Sequence, residues 1–267
     1  MNDHPVAFFD SGMGGVTVLV HALKQLPSEH FIYYADTAHV PYGTKPKEEV
    51  IRYILEAVEF LRSKNIKALV VACNTATSIA IQQLRERYVD IPVIGMEPAV
   101  KPAVEQLSRH RKRVLVCATP LTLHEHKFME LVTRVDTDHI VDSLALHDLV
   151  PFAENGEFRD DVILPYLREQ LSRFPLDQYE TIVLGCTHYP LFYPHFRKVL
   201  PDHIRIIDGN EGTVRHLKNK LSENDLLNIH GSGSVNFYSS GDEEKDRSRF
   251  DRLQSYYRSF AVQFRGV

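Results

Sequence analysis

The chain has 267 residues, 43% of them hydrophobic and 25% charged, and it carries a net charge of −4 at pH 7. This length is enough to bury a large core, and we expect two α/β lobes. Acidic and basic residues are interspersed, which argues against nucleic acid or a membrane surface as a partner. The basic stretch at residues 245–249 is short and is predicted to be a solvated face of a helix.

The amino-terminal residues contain no long apolar segment behind a basic flank, so we expect neither a signal peptide nor a membrane span. The three cysteines are too few for a disulfide framework in a chain of this length. All three lie in or directly after apolar runs, which suits a reducing compartment. We therefore expect a cytoplasmic protein whose cysteines are free thiols.

The first part of the chain alternates predicted strands with predicted helices. The strands are expected at residues 6–9, 31–35, 67–72 and 92–95, and the helices at 16–26, 46–65 and 76–88. The alternation pauses at Glu97, because Pro98 disfavours helical conformation at the residue before it. We place a lobe boundary between residues 97 and 98.

The second part repeats the alternation. Helices are predicted from Pro98 to about Arg109, at 121–133 and within 145–173, and strands at 113–118, 139–142, 181–185 and 205–208. A helix to about Leu221, a strand at 235–238 and a tail helix at 242–257 follow.

We expect these last elements to complete the first lobe, so that residues 1–97 with 208–267 form one lobe and residues 98–207 the other. The predicted fold class is α/β with two lobes, each a mainly parallel sheet flanked by helices.

Two cysteines carry the main functional signal. Cys73 and Cys186 each follow an apolar strand and precede a small polar residue where a helix is predicted to begin. In open parallel sheets ligands bind at this edge, and a helix amino terminus favours a thiolate by lowering the thiol pKa. Cys117 lies inside a strand and is predicted to be a small buried hydrophobic residue.

Each of these two thiols has an ionisable companion, Asp10 for Cys73 and His188 for Cys186. If the lobes face each other across a small molecule, one thiolate can remove a proton from carbon while the other thiol returns one to the opposite face. This is racemisation by two bases. It requires no cofactor in principle, and the sequence contains no recognisable cofactor loop or clustered metal ligands.

Five segments, taken together, resemble glutamate racemases of the aspartate/glutamate racemase family. They are residues 9–15, 34–36, 40–43, 72–77 and 184–190, in the family's order over nearly the whole chain. The resemblance implies cofactor-independent interconversion of L- and D-glutamate, which supplies D-glutamate for peptidoglycan and the cell wall in a bacterial cytoplasm. It also implies that the two lobes are pseudosymmetric, that the active site lies in the cleft between them, and that the protein is a homodimer.

The resemblance further implies a role for each site residue. Cys73 would take the proton from D-glutamate with help from Asp10, and Cys186 would take it from L-glutamate with help from His188 and Glu154. The implied substrate-binding residues are Asp10, Ser11, Pro41, Tyr42, Gly43, Asn74, Thr75, Thr119, Thr122, Thr187 and His188.

Three alternative functions compete with glutamate racemisation. A decarboxylase needs only one thiol, so the pair argues against it. The segments around Asp10 and Thr187 argue against a related aspartate racemase. Cysteine acyl transfer or hydrolysis, with Cys186 as nucleophile and His188 as base, depends on whether their geometry permits it.

Overall fold

The computed structural model describes residues 2–107 and 112–261. The strands are β1 (Val6–Asp10), β2 (His30–Ala35), β3 (Ala68–Val71), β4 (Val93–Gly95), β5 (Arg113–Ala118), β6 (Val141–Ala145), β7 (Tyr179–Leu184), β8 (Arg205–Asp208) and β9 (Ser234–Ser239). The α-helices are α1 (Val16–Gln25), α2 (Lys47–Arg62), α3 (Asn74–Arg87), α4 (Val100–Glu105), α5 (Pro120–His124), α6 (His126–Val135), α7 (Leu149–Glu154), α8 (Asp160–Leu171), α9 (Tyr193–Val199), α10 (Asn210–Glu223) and α11 (Glu243–Ala261). Short 3₁₀ helices lie at Tyr42–Thr44, Leu176–Gln178 and Tyr189–Phe192.

The first sheet has the strand order β4-β3-β1-β2-β9, and its pairings are parallel. Every residue of β1 and β3 is buried, because helices cover both faces of the sheet. This explains why these strands are continuous apolar runs. The late strand β9 pairs with β2 at the edge of the sheet.

The second sheet has the strand order β6-β5-β7-β8, again with parallel pairings. The prediction of an α/β fold with parallel sheets flanked by helices is confirmed. One apolar cluster includes residues of both sheets, among them Phe8 of β1 and Leu115 of β5. The two sheets therefore share part of their core.

The helix predicted at residues 121–133 is wrong in one respect, because it is broken at Glu125 into α5 and α6. Glu125 has an extended backbone, with φ −72° and ψ 137°, and its carboxylate pairs with the ammonium group of Lys47 at 2.6 Å. The break thus coincides with a contact to a distant helix, which periodicity alone cannot indicate.

The strand predicted at 139–142 is displaced to β6. His139 has a left-handed backbone, with φ 54°, and the carboxylate of Asp136 accepts hydrogen bonds from the N–H groups of Ile140 and Val141. These contacts hold a turn where the strand was expected to begin. The helix predicted from Pro98 is observed as α4, and its predicted end near Arg109 lies outside the described residues.

In the part of the chain that the structure describes, no helix combines the length and the apolar character needed to cross a membrane.

Candidate active site

Cys73 lies where β3 meets α3. Its Sγ accepts a hydrogen bond from the backbone N–H of Ala76 at 3.4 Å, so the thiol caps the amino terminus of the helix. Asp10 ends β1, which pairs with β3 in parallel register. The carboxylate and the thiol therefore share one edge of the first sheet.

Cys186 occupies the equivalent place in the second sheet. After β7 ends, the N–H of Gly185 donates to the carbonyl of Cys117 at 2.7 Å, and the carbonyl of Cys186 accepts from the N–H of Tyr189 at 3.0 Å. Both thiols thus follow interior strands at their carboxyl ends, where parallel α/β folds bind ligands.

The two thiols line one cavity of about 20 Å³. Cys73 is 4% exposed and Cys186 is 6% exposed. Of the residues predicted to bind substrate, those that line this cavity are Ser11, Pro41, Tyr42, Gly43, Thr75, Thr119, Thr187 and His188. A cavity of this size holds about one water molecule. A substrate as large as an amino acid therefore requires the walls to move apart.

The surroundings of Cys73 favour its neutral form. Its thiol donates to Oγ of Ser11 at 3.5 Å. Burial, together with the nearby charge of Asp10, raises the pKa of Cys73 to about 12, although the hydrogen bonds to Ser11 and Ala76 oppose this. The predicted lowering of this pKa by the helix amino terminus is therefore wrong, because desolvation outweighs it.

Asp10 is fully buried and links the two halves of the site. Its carboxylate accepts hydrogen bonds from the N–H of Gly12 at 3.0 Å and from Oγ1 of Thr187 at 3.2 Å. Burial raises the pKa of Asp10, and the nearby His188 only partly offsets this effect. Asp10 is consequently a stronger base than an ordinary aspartate.

The surroundings of Cys186 form a chain of hydrogen bonds. Its Sγ lies 3.8 Å from Nδ1 of His188, and Nε2 of His188 lies 2.7 Å from Oε1 of Glu154. Oε1 also accepts from the N–H of Met13 at 2.7 Å, while Oε2 accepts from Nη1 of Arg249 at 3.2 Å. Glu154 comes from α7 and Arg249 from α11, so distant parts of the chain meet here.

This chain of contacts sets the charges near Cys186. Burial alone would lower the pKa of His188, but hydrogen bonds and charges from Cys186 and Glu154 raise it well above the usual value. Burial would raise the pKa of Glu154, but His188, Met13 and Arg249 lower it. Both shifts favour a His188 imidazolium between the Glu154 carboxylate and the thiol, and such a cation is suited to stabilising a thiolate.

Three threonine hydroxyls form a triangle beside the thiols. Oγ1 of Thr75 lies 3.0 Å from Oγ1 of Thr119 and 3.0 Å from Oγ1 of Thr122, and the last two are 2.9 Å apart. Thr75 lies on α3, whereas Thr119 and Thr122 belong to the amino end of α5. The triangle therefore ties the first sheet's helix to the second sheet's helix.

The loop at Pro41, Tyr42 and Gly43 forms another wall. The hydroxyl of Tyr42 donates to the carboxylate of Asp36, and the peptide bond before Pro41 is cis. A Cβ on Gly43 would lie 2.8 Å from Cβ of Thr119, so only glycine permits this close approach.

Asn74 and Thr122 line a separate cavity of about 10 Å³. Nδ2 of Asn74 donates to the carbonyl of Met96 at 3.1 Å. Substrate contact by these two side chains stays a prediction.

Known protein families provide an independent comparison. The sequence model of the family described as Asp/Glu/Hydantoin racemase matches residues 15–217. The chain belongs to this racemase family. The predicted family is thereby confirmed.

Individual members of the racemase family match nearly the full length of the chain. A glutamate racemase of Halothermothrix orenii is 59% identical over 243 residues, which cover 91% of this chain and 95% of the relative. Glutamate racemase 2 of Bacillus subtilis is 53% identical over 251 residues, which cover 93% of this chain and 94% of the relative. The crystal structure of a Francisella tularensis glutamate racemase in complex with D-glutamate has a TM-score of 0.83 at 30% sequence identity. The match covers 96% of this chain and 95% of that chain.

Several residues that line the cavity of this racemase-family chain were not predicted from its sequence. Thr44, Pro120, His147 and Val150 also line the cavity. The prediction that residues 245–249 form a solvated face is wrong for Asp246, which is buried, and for Arg249, whose side chain is 29% exposed and reaches Glu154. No local motif marks these residues, because they become neighbours only in the folded chain.

Among the described residues, no group of three or more His, Cys, Asp or Glu side chains is placed to hold a metal ion. Cys73, Cys117 and Cys186 are all free thiols.

Proposed function

We propose that this chain interconverts L- and D-glutamate by two-base proton transfer without a cofactor. The observation that carries the proposal is that thiols from the ends of two different sheets line one cavity. The similarity to glutamate racemases over more than nine-tenths of the chain supports glutamate as the substrate.

In the direction from L- to D-glutamate, Cys186 acts as a thiolate beside the His188 imidazolium. It removes the proton from Cα, and the electron pair left behind is delocalised into the substrate carboxylate. Cys73, a neutral thiol, donates its proton to the opposite face of Cα. Because burial raises the pKa of the Cys73 thiol, this thiol holds its proton more firmly than an ordinary cysteine does until the carbanion forms.

In the reverse direction Cys73 is the base. Its thiolate is strongly basic but sparsely populated, so a group that can accept its proton assists the step. The pKa of Asp10, raised by burial, makes this carboxylate suitable for that role. The hydroxyls of Ser11, Thr75, Thr119 and Thr187 are the donors that we expect at the substrate carboxylates.

Substrate access requires the cavity to open. We propose that residues 1–97 with 208–267 form one lobe, that residues 98–207 form the other, and that the lobes separate to admit glutamate. β8 ends at Asp208, so the chain leaves the second sheet one residue after this proposed boundary. Closure would then exclude water and bring both thiols to the substrate.

The biological setting follows from the same proposal. The product D-glutamate would serve peptidoglycan synthesis and cell shape in a bacterial cytoplasm. A homodimer is the assembly that we propose.

Acyl transfer is the second candidate, because Cys186, His188 and Glu154 form a chain of thiol, imidazole and carboxylate. It leaves the second thiol, Cys73, without a role. A burst of acyl-enzyme with an ester or amide would favour it, as would full activity of Cys73→Ser.

Proton exchange tests the proposal directly. L-Glutamate incubated with the protein in D₂O, with no additive, should lose its circular dichroism signal. The D-glutamate formed should carry deuterium at Cα, because the proton comes from an exchangeable thiol. Dialysis against a chelator and addition of pyridoxal phosphate should change neither result. Unlabelled D-glutamate would contradict proton transfer through the thiols.

Gly14 offers a test of the packing around His188. A Cβ at this position would lie 2.4 Å from Nδ1 of His188 and 2.5 Å from Oγ1 of Thr187. Gly14→Ala should therefore displace the imidazole and lower kcat/KM for glutamate at least about 100-fold, measured by circular dichroism.

The matched control is Gly212→Ala on α10, where a Cβ meets no atom within 4 Å. It should keep wild-type activity and stabilise the fold by up to about 1 kcal/mol, since alanine favours a helix. Equal activity of the two variants would show that the proposed packing does not control the reaction.

A further inference from the structure

Arg249 is an unexpected neighbour of the site. It lies on the tail helix α11, and its Nη1 donates to Oε2 of Glu154 at 3.2 Å. The side chain of Glu154 is 7% exposed, whereas that of Arg249 is 29% exposed. Arg249 does not line the cavity between the thiols. It therefore acts on the reaction only through Glu154.

Arg249 is itself anchored to the first sheet. Its Nη1 lies 3.6 Å from Oδ1 of Asp246, one turn earlier on α11. The carboxylate of Asp246 accepts hydrogen bonds from Thr37, which follows β2, and from Ser239, which ends β9. The position of the guanidinium is thus set by elements of the first sheet, while Glu154 belongs to α7.

The two oxygens of Glu154 have separate partners. Oε1 accepts from the N–H of Met13 and contacts Nε2 of His188, whereas Oε2 faces Arg249. If Arg249 were absent, the buried Oε2 would lose this charged hydrogen-bond donor, which is costly. The carboxyl group would then hold a proton more readily or rotate, and either change weakens its interaction with His188.

We propose that Arg249 is a positioning residue for proton transfer at Cys186. By holding Oε2 it keeps Glu154 ionised and Oε1 directed at His188, which keeps the imidazolium beside Cys186. This inference rests on the proposed function.

The charges of these groups determine the direction in which the pH profile moves. Arg249 is nearer to Glu154 than to His188. Removing its positive charge therefore favours a protonated Glu154 beside a neutral His188 over a Glu154 carboxylate beside a His188 imidazolium. The sulfur of Cys186 then loses the neighbouring cation that would stabilise its thiolate. The acidic limb of the pH profile of kcat for L-glutamate should therefore move to higher pH, while KM stays nearly constant.

Three variants test this inference. Arg249→Gln should lower kcat for L-glutamate near neutral pH about tenfold and move the acidic limb up by about one pH unit. Arg249→Lys keeps the cation and should recover most of both effects. Arg252→Gln removes the same charge from an exposed position on α11 and should match the wild type. If Arg249→Gln does not fold, Arg249→Lys carries the test, with a smaller shift in the same direction.

A second measurement does not depend on turnover. The imidazole of His188, followed by NMR with ¹⁵N-labelled histidine, should lose its proton at lower pH in Arg249→Gln than in Arg252→Gln. If the wild type does not racemise glutamate, the proposed function fails, and this titration still decides the role of Arg249. Identical titrations and pH profiles in the Arg249 and Arg252 variants would overturn the inference. So would equal losses in Arg249→Gln and Arg249→Lys, because the cation would then be irrelevant.

Discussion

Replacing either Cys73 or Cys186 by alanine should lower glutamate racemisation about 10⁴-fold in both directions. Each thiol serves one face of Cα, so its loss removes the base of one direction and the acid of the other. The two enantiomers have equal free energy, so kcat/KM must stay equal in the two directions. One missing thiol therefore stops both, which circular dichroism with each enantiomer would detect.

The two variants should nevertheless differ in α-proton exchange. In D₂O, Cys73→Ala retains Cys186 and should exchange the α-proton of L-glutamate without inverting it. Cys186→Ala should do the same with D-glutamate. The measurement is the loss of the α-proton NMR signal from each enantiomer.

Cys117→Ala is the matched control for both. Cys117 is a buried free thiol inside β5 that does not line the cavity. The Cys117→Ala variant should therefore keep its racemase activity, although the smaller side chain loses some packing contacts. If Cys73→Ala or Cys186→Ala retained near-normal turnover in both directions, the two-base assignment would be wrong.

The features of this molecule that depend on short stretches of sequence were predicted correctly. The apolar runs of β1, β3 and β7 are continuous because parallel strands are buried on both faces, so their positions could be predicted from composition. The thiols at the ends of β3 and β7 followed from those strands, as did Asp10 at the end of β1.

Contacts between distant segments of the chain could not be predicted from the sequence. Glu154 and Arg249 are 95 positions apart, and nothing in the charged pattern of α11 distinguishes Arg249 from its solvated neighbours. At the break between α5 and α6, Glu125 pairs with Lys47, which lies 78 positions away. Each of these features is fixed by partners that only the folded chain brings close.

The pKa of Cys73 shows a different limitation. The position at the start of α3 was predicted correctly, and it predicts stabilisation of a thiolate. Burial acts in the opposite direction and is larger, since the surrounding cavity excludes almost all water. Position in a helix can be read from sequence, whereas the depth of burial that decides the sign cannot.

Lys67→Met should destabilise the fold by about 3–5 kcal/mol without changing the chemistry at the thiols. The ammonium group of Lys67, 1% exposed, lies 2.6 Å from Oε2 of the fully buried Glu29. It also donates to the carbonyls of Asn2 at 2.5 Å and Leu226 at 2.8 Å. Removing one partner leaves an uncompensated buried carboxylate. For a chain of this size, Tm should fall by about 2–4 °C per kcal/mol.

The pair lies at the amino end of β3, away from Cys73 at the other end, so activity at 25 °C should be retained while the variant remains folded. Lys218→Met, at an exposed position of α10, is the control and should change the free energy of unfolding by less than about 0.5 kcal/mol.

The double variant Glu29→Met with Lys67→Met should recover much of the lost stability, because neither charge then remains buried. Denaturant unfolding measures all of these free energies. If the Lys67→Met protein were as stable as Lys218→Met, the ion pair between Lys67 and Glu29 would contribute nothing to the stability of the fold.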